Sequence, residues 1–373
     1  MEDNSLQQVD GPGFGSRNRE FGGPGPGPSW QEDLLCGVSR TFALTIPQLP
    51  DGLREAVTNA YLLCRIADTI EDDPIFDAAE KDRFHSAFLE AVERGRGARE
   101  FARELAPRLA PSTLSAEVEL IQECPQLLGF TATLDSRQQR AVHRCLSMMS
   151  HGMAEYERCR SRNGLSDVRE FERYCYFVAG VVGEMLTELF CDYSPEIDAR
   201  RDDLERRAVS FGLGLQMTNI LKDVWADLDR GVCWLPREIF DAHGYDLDRL
   251  GKRHDGCGSA FADSMQVLIG IAHDHLRNAL DYTLAIPNHE VGIRRFLIWA
   301  VLLAVSTLGK ISASPLFQSG AEVKVSRRRV AAIVTISKTV IRSNCGLTTL
   351  FNTAAYGLPR SDGHRSPILA ERT

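Results

Sequence analysis

A chain of 373 residues, 43% of them hydrophobic, is long enough to bury a sizeable core as one large domain or two fused ones, and one catalytic domain is the reading adopted. A net charge of −8 and a pI near 5.7 exclude a general nucleic-acid binder, because a polyanionic partner demands a basic face, so any anion bound must meet a local positive charge or a metal. The ten cysteines form no CxxC pair and no regular spacing, which signals neither a zinc site nor a disulfide framework but reduced thiols of a cytoplasmic protein.

In chain order, residues 1–29 come first as an arm rich in Gly and Pro, too acidic and polar at its start to be a secretory signal, and expected to be disordered. From Trp30 to residue 357 apolar positions recur three and four apart, with no alternating strand segment, and this predicts an all-α domain. Its breaks fall at Pro50-Asp51-Gly52, Pro74, the stretch from Pro107 to Pro111, Pro195, Pro236 and Pro287. No repeat at solenoid periods is present, so a single helical bundle with short connections is expected. Residues 358–373 form a polar tail expected to fray.

The first chemical signal closes an early helix, where Asp68-Thr69-Ile70-Glu71-Asp72-Asp73 follows Tyr61-Leu62-Leu63-Cys64-Arg65-Ile66-Ala67. Helical spacing sets Asp68 over Glu71 and Asp72, and the same stripe runs back through Arg65 to Tyr61. Like charges packed this way repel unless a cation offsets them, although an exposed acidic last turn would read the same. Further on, Tyr174, Phe177, Val178, Val181 and Val182 share one face of a helix, with Gly180 and Gly183 permitting close approach of a ligand chain or of another helix.

The second acidic cluster lies in a helix from Gly212 to Asp227, where Gln216, Asn219, Asp223 and Asp227 advance by three, four and four among apolar neighbours. Polar groups at that period are costly to bury without partners, so they are expected to face a wet or metal-filled cavity. Two such helices face to face would offer hard oxygen ligands suited to magnesium shared with diphosphate oxygens. The longest apolar run, Phe296 to Leu308, is thirteen residues, well short of a bilayer span, and reads as a core helix.

Taken together these segments resemble the squalene and phytoene synthases. Asp68-Thr69-Ile70-Glu71-Asp72 is similar to that family's DxxED motif, and the run from Asn219 to Asp227 to its NILRDxxED segment. Between them, the stretch from Tyr174 to Gly183 resembles YCxxVAGxVG, and Ser39-Arg40-Thr41-Phe42 resembles SRSF. Two departures stand out: the Glu before the last aspartate of the second motif is Ala226, and the arginine shortly after it is Val232, leaving Arg230 as the nearby guanidinium.

The resemblance implies an isoprenoid synthase bundle with a central cavity, and head-to-head condensation of two farnesyl diphosphates or similar prenyl diphosphates. It implies Mg2+ held by Asp68, Glu71, Asp72, Asn219, Asp223 and Asp227, and phosphate oxygens gripped by Arg40, Arg65 and Lys222. Tyr174 would handle the proton lost as a cyclopropane forms, and Tyr61 would help hold cations or diphosphate. Gln216, Phe42 and Phe296 would contact substrate, the rings stabilising carbocations through their quadrupoles.

The ending of the reaction is left open between a squalene synthase, which takes hydride from NADPH, and a dehydrosqualene or phytoene synthase, which loses a proton. The segment from Phe296 to Leu308 resembles the squalene synthase FCAIPQVMAIATL, with Ala300-Val301 in place of Pro-Gln, and Val323 to Arg329 resembles VKIRKG. On that resemblance Lys324 and Arg327 would hold the cofactor phosphate; a solvated basic turn is the competing reading. A peripheral membrane contact for product release, without a transmembrane helix, is also expected. A third alternative is a catalytically silent helical protein that binds a prenyl lipid, with Ala226 the one residue in its favour.

Overall fold

The computed structural model describes residues 29–250, 258–361 and 366–370. Among them no strand occurs, only an isolated parallel bridge between Leu165 and Pro236. The helices are α1 (Ser29–Val38), α2 (Phe42–Thr45), α3 (Leu53–Asp72), α4 (Ala78–Arg94), α5 (Ala98–Leu105), α6 (Ser115–Gln122), α7 (Cys124–Thr131), α8 (Ser136–Arg158) and α9 (Val168–Cys175). After them come α10 (Val181–Tyr193), α11 (Pro195–Asp198), α12 (Arg201–Asp229), α13 (Arg237–Ala242), α14 (Ser259–Ala285), α15 (Val291–Ala313), α16 (Arg327–Val340), α17 (Asn344–Ala354) and α18 (Pro367–Ala370). The Gly- and Pro-rich arm lies outside the described residues, except that Ser29 opens α1.

Local chemistry sets the helix limits. Asp77, Asp135 and Asp167 each accept a backbone N–H from the first turn they cap, and Gly95 ends α4 in the left-handed region at φ 61°. The long α12 is the hub, packed against α10, α14 and α15, while α3 lies on α7, α8 and α10. The carboxyl-terminal ends of α3 and α12 consequently open on the same cleft.

Between α9 and α10, residues Tyr176–Gly180 make one π-helical turn. A wider turn advances more than four residues per revolution, so it shifts the faces on either side of it. Tyr174 and Val178 line the cleft, whereas Val181 is buried in the core. The single face expected for Tyr174, Phe177, Val178, Val181 and Val182 is thus divided, because regular helical spacing does not hold through the π turn.

Two glycines let this segment lie against α12. A Cβ on Gly183 would stand 2.1 Å from the Ala208 carbonyl oxygen, and one on Gly212 at 2.1 Å from that of Ala179. Both obstacles are backbone and cannot rotate aside. Gly183→Ala is therefore expected to cost about 3 kcal/mol, the upper range of overpacking, with a melting midpoint lowered by several degrees in a circular-dichroism scan. An unchanged midpoint would mean that α10 and α12 separate freely.

Two stretches, Val168–Tyr193 and Val291–Ala313, are long and apolar enough to cross a membrane, yet their apolar windows are 67% and 61% buried within the bundle. The run from Phe296 to Leu308 is accordingly part of a core helix, with Trp299 donating from Nε1 to Ser337 Oγ at 2.8 Å. The polar tail does not fray where it is described. Ser366 Oγ donates to the buried Glu172 at 2.6 Å, and Ile368 packs into the core.

Candidate active site

Helices α3 and α12 both end in acidic residues with no basic residue in the last turn, the arrangement that the helix dipole disfavours. Their ends border a cleft of about 300 Å³ lined by Arg65, Asp68, Glu71 and Asp72 from one wall and Gln216, Asn219, Lys222, Asp223 and Asp227 from the other. Tyr174 and Val178 form part of the same lining.

The electrostatics follow from enclosing these acids together. Burial raises Asp68 to about 6, against the pull of Arg65, with Asp72 adding repulsion. Burial, Asp72 and Asp68 push Glu71 to about 8, and burial lifts Asp227 to about 6 despite Arg230. Glu71 therefore holds a proton at neutral pH until a cation displaces it, whereas Asp68 and Asp227 are mostly ionised there and take up protons as the pH falls towards 6.

Arg230 is the cation that the wall already supplies. Its guanidinium reaches Asp72 Oδ1 and Asp227 Oδ1, each at 2.6 Å, and so ties the two acidic motifs together. Val232, where the resemblance leads one to expect arginine, is buried and lines the cleft as an apolar contact. Ala226 is exposed and is not among the cleft residues, so the acid missing at that position leaves the cleft's own carboxylates intact.

Arg65 is held protonated by Asp68, at 3.5 Å, and by an ion pair with Glu117, which together outweigh burial. Lys222 pairs with Asp223 at 3.0 Å. Asp73 departs from its neighbours: it is buried and accepts from the backbone N–H groups of Ile75 and Ala110 at 3.0 and 2.8 Å, which makes it a loop anchor.

Tyr174 spans the two halves of the cleft. Its hydroxyl donates to Glu71 Oε1 at 3.3 Å, and burial followed by the charges of Glu71, Asp72 and Asp227 raises its pKa well above the ordinary phenol value. Its ring stacks on Trp234 with centroids 3.9 Å apart, and Tyr156 meets it edge-on at 5.2 Å. Trp234 escapes sequence reasoning because nothing local marks a residue between Val232 and Pro236 as facing Tyr174, sixty positions earlier.

A second group found only in three dimensions supports the acidic wall. The ammonium of Lys81, a residue just 1% exposed, donates to the Glu71 carbonyl and pairs with Glu157 at 3.1 Å. Arg160 pairs with Glu157 at 3.1 Å and donates to the Arg230 carbonyl, so one chain of charges links the ends of α3 and α12.

Six predicted residues lie outside this lining. Phe42 and Tyr61 pair with ring centroids 4.7 Å apart, and burial raises Tyr61 to about 12. Seven residues of helix put Tyr61 roughly 10 Å from Asp68 along α3. Arg40 is exposed, and Phe296 is buried edge-on against Phe190 at 6.2 Å, in the core and away from the cleft. Lys324 is exposed near the end of the loop that follows α15, and Arg327 is exposed as the first residue of α16. That loop touches the cleft, since a Cβ on Gly320 would stand 2.9 Å from Asp223 Oδ1, and Trp225 donates to the Phe317 carbonyl.

The donor set fits a hard divalent cation. Carboxylate and amide oxygens dominate, confinement raises the pKa of three of the acids, and among the described residues no three His, Cys, Asp or Glu converge on one point. Magnesium, which keeps several waters and shares its shell with substrate phosphates, suits walls held apart in this way.

Comparison with known proteins gives the family and the fold. A family model described as squalene/phytoene synthase matches residues 35–329. The squalene synthase of Candida albicans is 28% identical over 319 residues, covering 83% of this chain and 67% of that protein. The squalene synthase of Botryococcus braunii is 32% identical over 256 residues, covering 66% of this chain and half of the relative. A solved complex of TcSQS with a ligand superposes with a TM-score of 0.68 at 22% identity, covering 88% of this chain and 97% of that one. A ligand-bound dehydrosqualene synthase gives 0.58 at 19% identity, covering 85% and 96%.

Proposed function

We propose, on the premise that this chain belongs to the squalene/phytoene synthase family, whose members are prenyl transferases, that it is a squalene synthase. It would join two farnesyl diphosphates head to head through a cyclopropylcarbinyl diphosphate and reduce the product with NADPH. The observation that carries this reading is the pair of acidic helix ends facing one cleft, with the Tyr174 hydroxyl on Glu71 between them.

Bound magnesium would neutralise the charge that develops on departing diphosphate. Asp68, Asp72, Asp223 and Asp227 are the residues to hold it, with Glu71 and Asn219 beside them. Arg65 and Lys222 are placed to take phosphate oxygens, and Arg230 supplies the guanidinium absent at Val232. Arg40 is assigned to the same task from sequence alone. The Tyr174 hydroxyl would relay the proton released as the cyclopropane closes, taking it on oxygen while passing its own to the Glu71 carboxylate, and stacking on Trp234 holds that oxygen against Glu71. Phe42 and Tyr61 mark where an isoprenoid chain would run along α3, below the acids. A cytoplasmic location accords with the nine described cysteines, all free.

The direct test incubates the purified protein with farnesyl diphosphate and magnesium, with and without NADPH. Squalene formed only with NADPH supports the reductive reading. The same hydrocarbon with and without it assigns dehydrosqualene or phytoene chemistry instead, and no consumption of substrate leaves a prenyl-lipid binder. Lys324→Glu is expected to raise the NADPH concentration needed by about tenfold while the cyclopropyl intermediate forms at the normal rate, because only the second stage needs hydride. Normal NADPH use by that variant would remove Lys324 and its neighbour Arg327 from the cofactor site.

A further inference from the structure

One buried carboxylate takes no part in the cleft. Glu172 lies wholly buried in α9, two residues before Tyr174, and that spacing puts the two side chains on nearly opposite faces of the helix. Tyr174 lines the cleft, and Glu172 points away from it towards α14, where His275 Nε2 stands 3.4 Å from its Oε1. The other ring nitrogen of His275 meets Ser210 Oγ of α12 at 3.2 Å. A carboxylate enclosed in this way is costly unless hydrogen bonds replace its water.

The shortest of its described contacts comes from the far end of the chain. Ser366 Oγ donates to Glu172 Oε2 at 2.6 Å, the length of a charge-assisted bond, and the backbone N–H of Ile368 donates to the same oxygen at 3.4 Å. Ile368, 7% exposed, covers this contact as α18 packs on α9 and α12. Upstream the tail is pinned along α14. His273 Nδ1 lies 2.8 Å from the Pro359 carbonyl oxygen, Asp274 accepts from the Ser361 backbone N–H at 3.0 Å and from its hydroxyl, and Arg360 pairs with Asp274 at 3.0 Å. Gly270, one turn earlier, makes room for that backbone, since a Cβ there would stand 3.0 Å from the Arg360 carbonyl carbon. Polar anchors at both places set this tail apart from a frayed terminus.

We infer that the C-terminal tail is a strap that positions Tyr174, with Ser366 and Ile368 holding Glu172 on the back of α9 and Glu172 fixing the helix whose front carries the tyrosine. Helix α9 is eight residues long and runs directly into the π turn, so its rotation is set by what grips its two faces. Trp234 grips the front through the Tyr174 ring, and the tail grips the back. The Tyr174 hydroxyl stands 3.3 Å from Glu71, at the long end of a hydrogen bond, so a small turn of α9 is enough to break that contact. Neither Glu172 nor Ser366 lines the cleft, and both are therefore positioning residues. That the Tyr174 contact serves proton transfer rests on the proposed reaction; that the tail sets it does not.

Two readouts on the full chain test this, both taken well below the melting midpoint. Without substrate, the stacked pair of Tyr174 and Trp234 contributes to the near-ultraviolet circular-dichroism spectrum the part that Tyr174→Phe alters. Ser366→Ala should diminish that part with the far-ultraviolet spectrum unchanged, and Ser366→Thr, which keeps the hydroxyl, should restore it. With farnesyl diphosphate and magnesium, Ser366→Ala should slow formation of the cyclopropyl intermediate about tenfold at saturating substrate and leave apparent affinity unchanged. Placed in Tyr174→Phe, the same substitution should cause no further loss, because the hydroxyl through which it acts is already gone. An unchanged near-ultraviolet spectrum in Ser366→Ala, a rate equal to wild type, an equal loss in both backgrounds, or Ser366→Thr as impaired as Ser366→Ala overturns the inference. If the spectra change as expected while the wild type leaves farnesyl diphosphate unconsumed, the proposed reaction falls and the positioning of Tyr174 by the tail stands.

Discussion

Replacing Asp68 or Asp223 by asparagine is expected to lower turnover of farnesyl diphosphate at least about a hundredfold with the fold intact, the scale on which a principal electrostatic stabiliser acts. The substitution keeps the shape of each side chain and removes the charge. Asp68 and Asp223 stand on opposite walls, so each loss should be large by itself if the cation and diphosphate bridge them. A second readout is independent of catalysis: magnesium with inorganic diphosphate should raise the melting midpoint of the wild type and do so much less in either variant. Asp73→Asn provides the contrast. That carboxylate anchors the backbone N–H groups of Ile75 and Ala110, so its loss should cost about 1 to 3 kcal/mol of stability and leave magnesium dependence unchanged. Near-normal turnover in Asp68→Asn or Asp223→Asn would remove that residue from the site.

Tyr174→Phe should slow formation of the cyclopropyl intermediate by roughly a hundredfold, within the range of a lost proton-transfer group, with little change in apparent affinity. The ring is held by Trp234 on one face and the edge of Tyr156, so phenylalanine should occupy the same place and only the hydroxyl contact to Glu71 should vanish. Rapid-quench measurement of the intermediate checks this. If it forms at the normal rate, the hydroxyl is dispensable in the first stage and Tyr174 serves as packing. If affinity falls along with the rate, the hydroxyl contributes to binding instead.

The part of the site that could be read from sequence is the part built within single helices. Asp68, Glu71 and Asp72 share a face because they are three and four apart, and Gln216, Asn219, Asp223 and Asp227 do so for the same reason. Where the regular period fails, so does the reading: the π turn at Tyr176–Gly180 moves Val181 into the core while Tyr174 and Val178 stay on the cleft. Phe296 shows the same limit from another side. An aromatic residue on an apolar helix cannot declare which of its neighbours will meet it, and here Phe190 does.

Composition and periodicity alone therefore determined that the chain is helical, that two acidic stripes exist, and that its longest apolar run belongs to a core, since each of these depends on residues close in sequence. Tertiary structure decided which stripes face each other, that Arg230 joins Asp72 to Asp227, that Lys81, Glu157 and Arg160 brace the helix ends, and that Trp234 stacks on Tyr174. The deciding contacts, Arg230 to Asp72, Lys81 to Glu157 and Trp234 to Tyr174, connect residues tens to more than a hundred positions apart. Their partners are fixed by how α3, α8, α9 and α12 pack, a choice made by the whole core and written in no single segment.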